Sequence, residues 1–225
     1  FEREGVTTPY QLYNNDNWTW ESMTKIMKQI TKDLNDDGKI SPTDDQLGLC
    51  NLIGKVVQFG YSNDARPVTE TESGRLVFSY DDKNALETLN QLYEWLAVDK
   101  IAAGWHDSKF INGKIAMSLE RLVKAHKYKE NCNFEYGIVS MPIGPHGQDY
   151  EYPGMGSQSM VIPANADNPE GLIAVYDYIF NKRFKTKEES MKNLKEWIME
   201  RIYDRQSYEV AVKALNEWDG ENSTF

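Results

Sequence analysis

The stretch that decides the fold runs Asp33-Leu34-Asn35-Asp36-Asp37-Gly38-Lys39-Ile40-Ser41-Pro42-Thr43-Asp44-Asp45-Gln46-Leu47-Gly48-Leu49-Cys50-Asn51-Leu52-Ile53. Its first half has the ligand rhythm of a calcium loop. Asp33, Asn35 and Asp37 fall at positions 1, 3 and 5, and Gly38 at the bend. Lys39 can offer its carbonyl at 7 and Ser41 a hydroxyl or a water at 9, and Asp44 closes the loop at 12. The competing reading is a solvated Asp/Asn/Gly turn, which the same residues favour. The second half separates two fold classes. An EF-hand continues from its loop into a helix, whereas Gln46–Ile53 is an apolar run that reads as a buried strand. The unit is helix–loop–strand and occurs once, so the ion is expected to be a structural Ca²⁺ that pins a helix to a sheet, not a switch. The Asp at position 12, shorter than the usual Glu, implies modest affinity.

Upstream, Thr19 is placed as an N-cap, and Trp20, Met23, Met27 and Ile30 recur at intervals of three and four. The pattern predicts an amphipathic helix over 19–32. Downstream, residues 54–68 read as a loop and Arg75–Tyr80 as a short strand. Asp82 caps a helix over 83–98, whose Leu86, Leu89, Leu92, Tyr93 and Leu96 are expected to face a core. A small helix over 107–112, a strand over Lys114–Ser118 and a helix over Leu119–Tyr128 follow. Tyr136–Met141 and Ser159–Ile162 read as strands. Asn168-Pro169-Glu170 starts a helix, with Pro at its first position. Residues from Lys187 to Trp218 are helical and charged, with a break at Gln206-Ser207. Helices alternating with strands predict an α/β fold, a mixed sheet covered by helices. The expected division is an α/β lobe over 1–186 and a helical extension over 187–225 that packs on the lobe or leads to a hinge.

Composition narrows the function. The 225 residues carry a net charge of −10, and Lys and Arg follow no basic stripe. This argues against nucleic-acid binding and against an anionic membrane surface. No apolar run approaches the roughly 18 residues of a membrane span. The chain opens on Phe1-Glu2-Arg3 without an initiator Met and reads as an excised or processed piece. Cys50 and Cys132 are two cysteines in 225 residues, expected as buried free thiols. The three histidines have no partner at metal-site spacing. Gly154-Met-Gly-Ser-Gln-Ser159 lacks the spacing of a nucleophile elbow, no phosphate-cradling Gly-rich loop appears, and no acidic pair stands out as a glycosidase couple. A non-enzyme is expected.

Five segments, in order, carry a resemblance. They are Thr7-Thr8-Pro9 with Trp18-Thr19-Trp20-Glu21, then the 33–45 loop, Phe110-Ile-Asn-Gly-Lys-Ile-Ala-Met117, Tyr136-Gly-Ile-Val-Ser-Met-Pro-Ile-Gly-Pro145, and Ser159-Met-Val-Ile-Pro-Ala164 with Asn168-Pro169-Glu170. Together they resemble the extracellular solute-binding proteins that serve bacterial ABC importers of sugars and oligosaccharides. The resemblance covers about residues 1–180 and implies the carboxy-terminal lobe of a periplasmic-binding-protein-like (type II) fold. A first lobe of the same protein would lie outside the chain. In the loop, Ser41-Pro42-Thr43 departs from the family pattern and leaves the closing ligand open between Asp44 and Asp45.

The resemblance further implies a sugar or oligosaccharide held in a cleft between lobes, ABC permease subunits as partners, and a cell-surface lipoprotein or periplasmic location. Loops at strand ends would touch the ligand. That nominates Phe59 and Tyr61, Trp105, Glu120 and Arg121, and Tyr152, Met155, Gly156 and Ser157. Packing or a surface loop is the competing role for each, and Trp18, Trp20, Trp95 and Trp197 read as packing residues. Two other classes stay in view. One is a freestanding calcium-stabilised carbohydrate-binding or adhesion module, usually a β-sandwich, which the helix content disfavours. The other is an intracellular enzyme domain.

Overall fold

The computed structural model describes residues 1–153, 161–180 and 186–217. Helix α1 spans Pro9–Asn14 and α2 spans Trp20–Ile30. Both start on a threonine cap. Thr8 accepts from the backbone N–H of Gln11 and Thr19 from that of Ser22, each with a side chain returning to the cap. These caps satisfy amide donors that the first helical turn leaves orphaned.

The loop then delivers β1 (Leu47–Cys50), buried along its whole length. A strand, not a second helix, follows the loop. β1 lies so close on α2 that a Cβ at Gly48 would stand 2.5 Å from the Met27 Cα, so any larger residue there would push the strand away. β1 pairs in parallel with β4 (Ile115–Ser118), Leu47 opposite Ile115 and Leu49 opposite Met117. A separate antiparallel ribbon joins β2 (Val68–Glu70) to β3 (Leu76–Phe78). The remaining helices are α3 (Val56–Ser62), α4 (Lys83–Tyr93, running into a π-helical turn over Glu94–Val98), α5 (Asp107–Ile111), α6 (Ala125–Asn131), α7 (Pro169–Phe180), α8 (Lys187–Met199) and α9 (Arg205–Glu217).

The core is centred on three aromatic rings. Trp20, Phe59 and Trp95 stand edge to face, with centroids 5.4–5.8 Å apart. Their polar edges are satisfied: Trp20 Nε1 donates to Ser62 Oγ at 3.0 Å and Trp95 Nε1 to Thr24 Oγ1 at 2.9 Å. Trp18 is 2% exposed and donates to the Ser140 carbonyl at 3.0 Å, a packing role as expected. The α8–α9 pair is tied to the rest of the chain. The Tyr10 hydroxyl meets Ser207 and Asp204, and the Tyr136 hydroxyl donates to the Arg201 carbonyl at 3.0 Å.

Several expectations are corrected. Residues 56–62 are helical, not loop, because Phe59, Gly60 and Ser62 are drawn into the core. Burial of that face overrides the weak helix propensity of Val56-Val57 and Gly60. On α4 the buried face is Ala85, Thr88 and Leu92, while Leu86, Leu89 and Tyr93 are 52%, 41% and 62% exposed. Residues 119–121 are not helical; a 3₁₀ turn over Leu122–Lys124 comes before α6. Tyr136–Met141 forms no ladder. The Ile138 N–H is taken by Tyr10 and Ser207, and the chain makes one parallel bridge further on, Thr19 with Ile143. Val161 and Ile162 lie in no strand, and Ser159 and Met160 fall outside the described residues. The break in the last helical region falls between Met199 and Arg205, ahead of Gln206-Ser207.

Trp95→Ala would empty the centre of the aromatic cluster. We expect a loss of about 3–5 kcal/mol, read as a lower urea midpoint with an unchanged slope. A midpoint within error of the parent would show that the cluster is not the core.

Candidate functional site

In parallel sheets, ligands collect at the carboxyl ends of the strands, where successive crossovers diverge. Here that place follows Cys50 on β1 and Ser118 on β4. It is organised by Asn51, which is 1% exposed and holds a left-handed backbone (φ 62°). Asn tolerates that region better than most residues. Its amide nitrogen donates to Asp107 Oδ1 at 2.6 Å, Ser118 Oγ at 2.9 Å and Glu120 Oε1 at 3.4 Å. Its Oδ1 accepts the backbone N–H of His106 at 3.1 Å. The Asn51 N–H donates to the Gly104 carbonyl at 2.7 Å. One side chain therefore joins the ends of both strands to the 104–107 turn.

Asp107 is the counterpart. Its Oδ2 accepts from Lys127 at 2.6 Å and its Oδ1 from the Tyr128 hydroxyl at 3.0 Å. Burial pushes this carboxyl up, but the hydrogen bonds from Lys127, Asn51 and Tyr128 outweigh it, so the pKa lies below the ordinary aspartate value. Burial pushes the neighbouring Cys50 thiol up to about 12, which keeps it protonated and unreactive. Cys50 and Cys132 are both free thiols.

The nominated residues separate into groups. Trp105 is 64% exposed, and its indole edge lies 3.6 Å from where a Gly54 Cβ would stand. Ile53, 50% exposed, packs against Gly104. These residues make an open apolar platform beside the Asn51 hub. Glu120 is half-buried at the hub, and the Arg121 N–H donates to its Oε2 at 3.2 Å while the Arg121 side chain is exposed. Tyr61 and Tyr152 belong elsewhere. Tyr61 lies under the Arg66 guanidinium at 4.5 Å, Arg66 pairs with Glu151 at 2.9 Å, and Tyr152 bonds the Tyr13 hydroxyl at 2.9 Å. Phe59 is fully buried between Trp20 and Trp95 and has no face to offer a ligand. Met155, Gly156 and Ser157 lie outside the described residues.

The sequence reading passed over Asn51, Lys55, Gln58 and Asp107. The available signals were a polar Asn inside an apolar run and a lone Lys between Gly54 and Val56-Val57. Lys55 is 8% exposed, and Gln58 Oε1 is buried without a hydrogen-bond partner.

In the 33–45 loop, Asp33 accepts from the N–H groups of Asn35 (3.2 Å) and Gly38 (2.8 Å), Asn35 from Asp37 (3.1 Å), and Asp37 from Lys39 (2.8 Å). Gly38 has φ 75°, which its lack of a Cβ permits. The carboxylate turned inward at the close is Asp45, not Asp44. Asp45 is 1% exposed and accepts from Leu34 and Ser41 at 2.9 and 2.7 Å, while Asp44 is exposed and takes the Thr43 hydroxyl at 2.8 Å. Ser41 Oγ is spent on Thr43 Oγ1 at 2.6 Å. Among the described residues, no three His, Cys, Asp or Glu are gathered closely enough to hold a metal.

No family model and no curated protein matches this chain. Solved structures do. The maltose/maltodextrin-binding domain MalE from Bdellovibrio bacteriovorus, bound to maltotriose, is 18% identical with a TM-score of 0.56, over 72% of this chain and 43% of that one. The ABC substrate-binding protein Lmo0181 from Listeria monocytogenes, in complex with cycloalternan, is 16% identical with a TM-score of 0.50, over 64% of this chain and 35% of that one. The fold is α/β and like that of type II periplasmic binding proteins. The chain spans less than half the length of either structure.

Because the folded pKa of Asp107 is depressed, its stabilisation is complete above the unfolded pKa of about 3.9 and is lost as pH falls through the lower folded value. Asp107→Asn should flatten the acid limb of melting temperature against pH below the ordinary aspartate value of about 3.9. An unchanged acid limb would mean that the hub does not hold a charged carboxylate.

Proposed function

We propose that this chain binds a sugar or oligosaccharide at the carboxyl ends of β1 and β4, as the substrate-binding part of an ABC importer. The observation that carries the reading is the Trp105–Ile53–Gly54 platform beside Glu120 and Arg121, at the strand ends of this fold. A pyranose ring presents apolar C–H faces that suit an exposed indole, and its hydroxyls suit a rim of carboxylate and guanidinium. The solved structures of the same fold carry maltotriose and cycloalternan, which supports a carbohydrate ligand.

In this reading a second lobe closes over the ligand, the closed form engages permease subunits, and the protein works outside the cytoplasmic membrane. A freestanding calcium-stabilised carbohydrate module is disfavoured by the α/β fold. An enzyme is disfavoured because the structural neighbours are binding proteins.

We test this by calorimetric titration of the full-length protein with maltotriose and a panel of oligosaccharides. At least one should bind, and Trp105→Ala should weaken it about tenfold, the equivalent of about 1.4 kcal/mol. Failure across the panel would move the ligand class away from carbohydrate.

We also propose that Ca²⁺ would draw Asp33, Asn35, Asp37, the Lys39 carbonyl, Ser41 and Asp45 together out of the hydrogen-bonded turn described above, in which the carboxylates stand apart. The support is the oxygen spacing, the bend at Gly38 and the buried Asp45 carboxylate. The ion would supply fixed positive charge between α2 and β1 and no chemistry at the strand ends. Melting with calcium should exceed melting with chelator, and Asp45→Asn should abolish the difference. Equal midpoints would leave the loop a hydrogen-bonded turn.

A further inference from the structure

A two-stranded ribbon is marginal in water unless a further strand or a packed face supports it. Among the described residues, the ribbon of β2 and β3 has no third strand. Two hydrogen bonds fix which backbone groups of β3 point where. The Thr71 N–H donates to the Arg75 carbonyl at 2.9 Å, and the Ser79 N–H donates to the Pro67 carbonyl at 3.1 Å. Arg75 and Ser79 therefore turn their backbone groups toward β2, and so does Val77 between them. Leu76 and Phe78 turn theirs outward, along the edge that no strand pairs. Their side chains share one face with those of their cross-strand partners, Glu70 and Val68. On that face Val68, Leu76 and Phe78 are 39%, 62% and 72% exposed.

The two edges of the ribbon are guarded differently. β2 follows Pro67 and carries Glu70, and proline and charge both discourage strand addition. β3 has no charge, Pro or Gly between Leu76 and Phe78. An exposed apolar edge of this kind is a template for another strand.

We propose that β3 pairs antiparallel with β3 of a second copy of this chain, about a two-fold axis through Val77. In that register Leu76 lies opposite the partner's Phe78. The residues that turn their backbone groups outward are then the ones that face each other. Leu76 and the partner's Phe78 exchange both N–H···O=C bonds, and the symmetry-related pair does the same. The sheet becomes β2-β3-β3-β2. Val68, Leu76 and Phe78 of both copies form one apolar face, with the Glu70 side chains at opposite corners. No like charges meet across the seam, since Arg75 faces the partner's Ser79. The edge is thus self-complementary in backbone, apolar side chains and charge, which favours a second copy over an unrelated extended segment. Its short length puts the association in the weak, transient class. The proposal does not depend on the ligand at the strand ends of β1 and β4.

Sedimentation equilibrium of the full-length protein over a range of concentrations should show a reversible monomer–dimer equilibrium. Leu76→Pro removes an outward N–H that β2 does not use, so it should raise the dimer dissociation constant at least about tenfold. Phe78→Lys puts a charge on the edge without removing any backbone donor and should weaken the dimer as much. If the proline variant loses its far-ultraviolet circular dichroism, the lysine variant decides. Val77→Cys tests the register. It faces its own copy in a non-hydrogen-bonded pair with Cα atoms about 4.5 Å apart, within disulfide reach. Mild oxidation should give a covalent dimer well above the parent's level, whereas Thr69→Cys on the far strand should not. The proposal is overturned if the full-length protein stays monomeric throughout, if a dimer forms that folded variants at 76 and 78 do not weaken, or if Val77→Cys fails to cross-link. A monomer whose β3 edge takes an extended segment of another protein would overturn it as well.

Discussion

The side chain of Asn51 is the constraint on which the rest depends. Two parallel strands end side by side, and nothing in a two-stranded ladder fixes the turns that leave them. Asn51 does so with one amide: three acceptors on its nitrogen come from the 104–107 turn, the end of β4 and the segment beyond it, and its oxygen takes an amide from the same turn. Such a network is favourable when every member is satisfied and costly when one is missing. Asp107 completes it by drawing in Lys127 and Tyr128 from α6. Asn51 and Asp107 are thus satisfied within the hub, while His106 in the same turn keeps a buried Nδ1 without a partner among the described residues, and the exposed groups beside the hub are Trp105 and Arg121.

The 33–45 loop plays a different part. It lies between the end of α2 and the start of β1, and its inward carboxylate, Asp45, grips the backbone at Leu34 and Ser41. The helix and strand it joins are already in intimate contact at Met27 and Gly48. An ion in the loop would reinforce a junction that packing has made, at the opposite end of β1 from the Asn51 hub.

How much of this was legible in the sequence depends on the range of the interactions involved. The caps at Thr19 and Asp82, the helix–loop–strand unit and the Ile115–Ser118 strand are local features, and each appears where local chemistry places it. α3 was illegible because Val56-Val57 and Gly60 argue against a helix and only the burial of Phe59 argues for it. On α4 two apolar stripes compete, and periodicity cannot say that Ala85–Thr88–Leu92 is buried while Leu86–Leu89–Tyr93 is not. Tyr136–Met141 has strand composition but loses the Ile138 amide to side chains from α1 and α9. At the site, Trp105 and Glu120 could be nominated by position after a strand. Asn51 could not, since its importance lies in partners dozens of residues away.

The most direct test of the account is hydrogen–deuterium exchange on the full-length protein, with and without the best-binding oligosaccharide from the panel. Ligand-dependent protection should concentrate in 51–58, 104–107 and 119–121, which meet at the ends of β1 and β4. Protection centred elsewhere, for instance in the groove between α2 and α4 lined by Glu21, Lys25, Lys28 and Glu94, with those three segments unchanged, would contradict it.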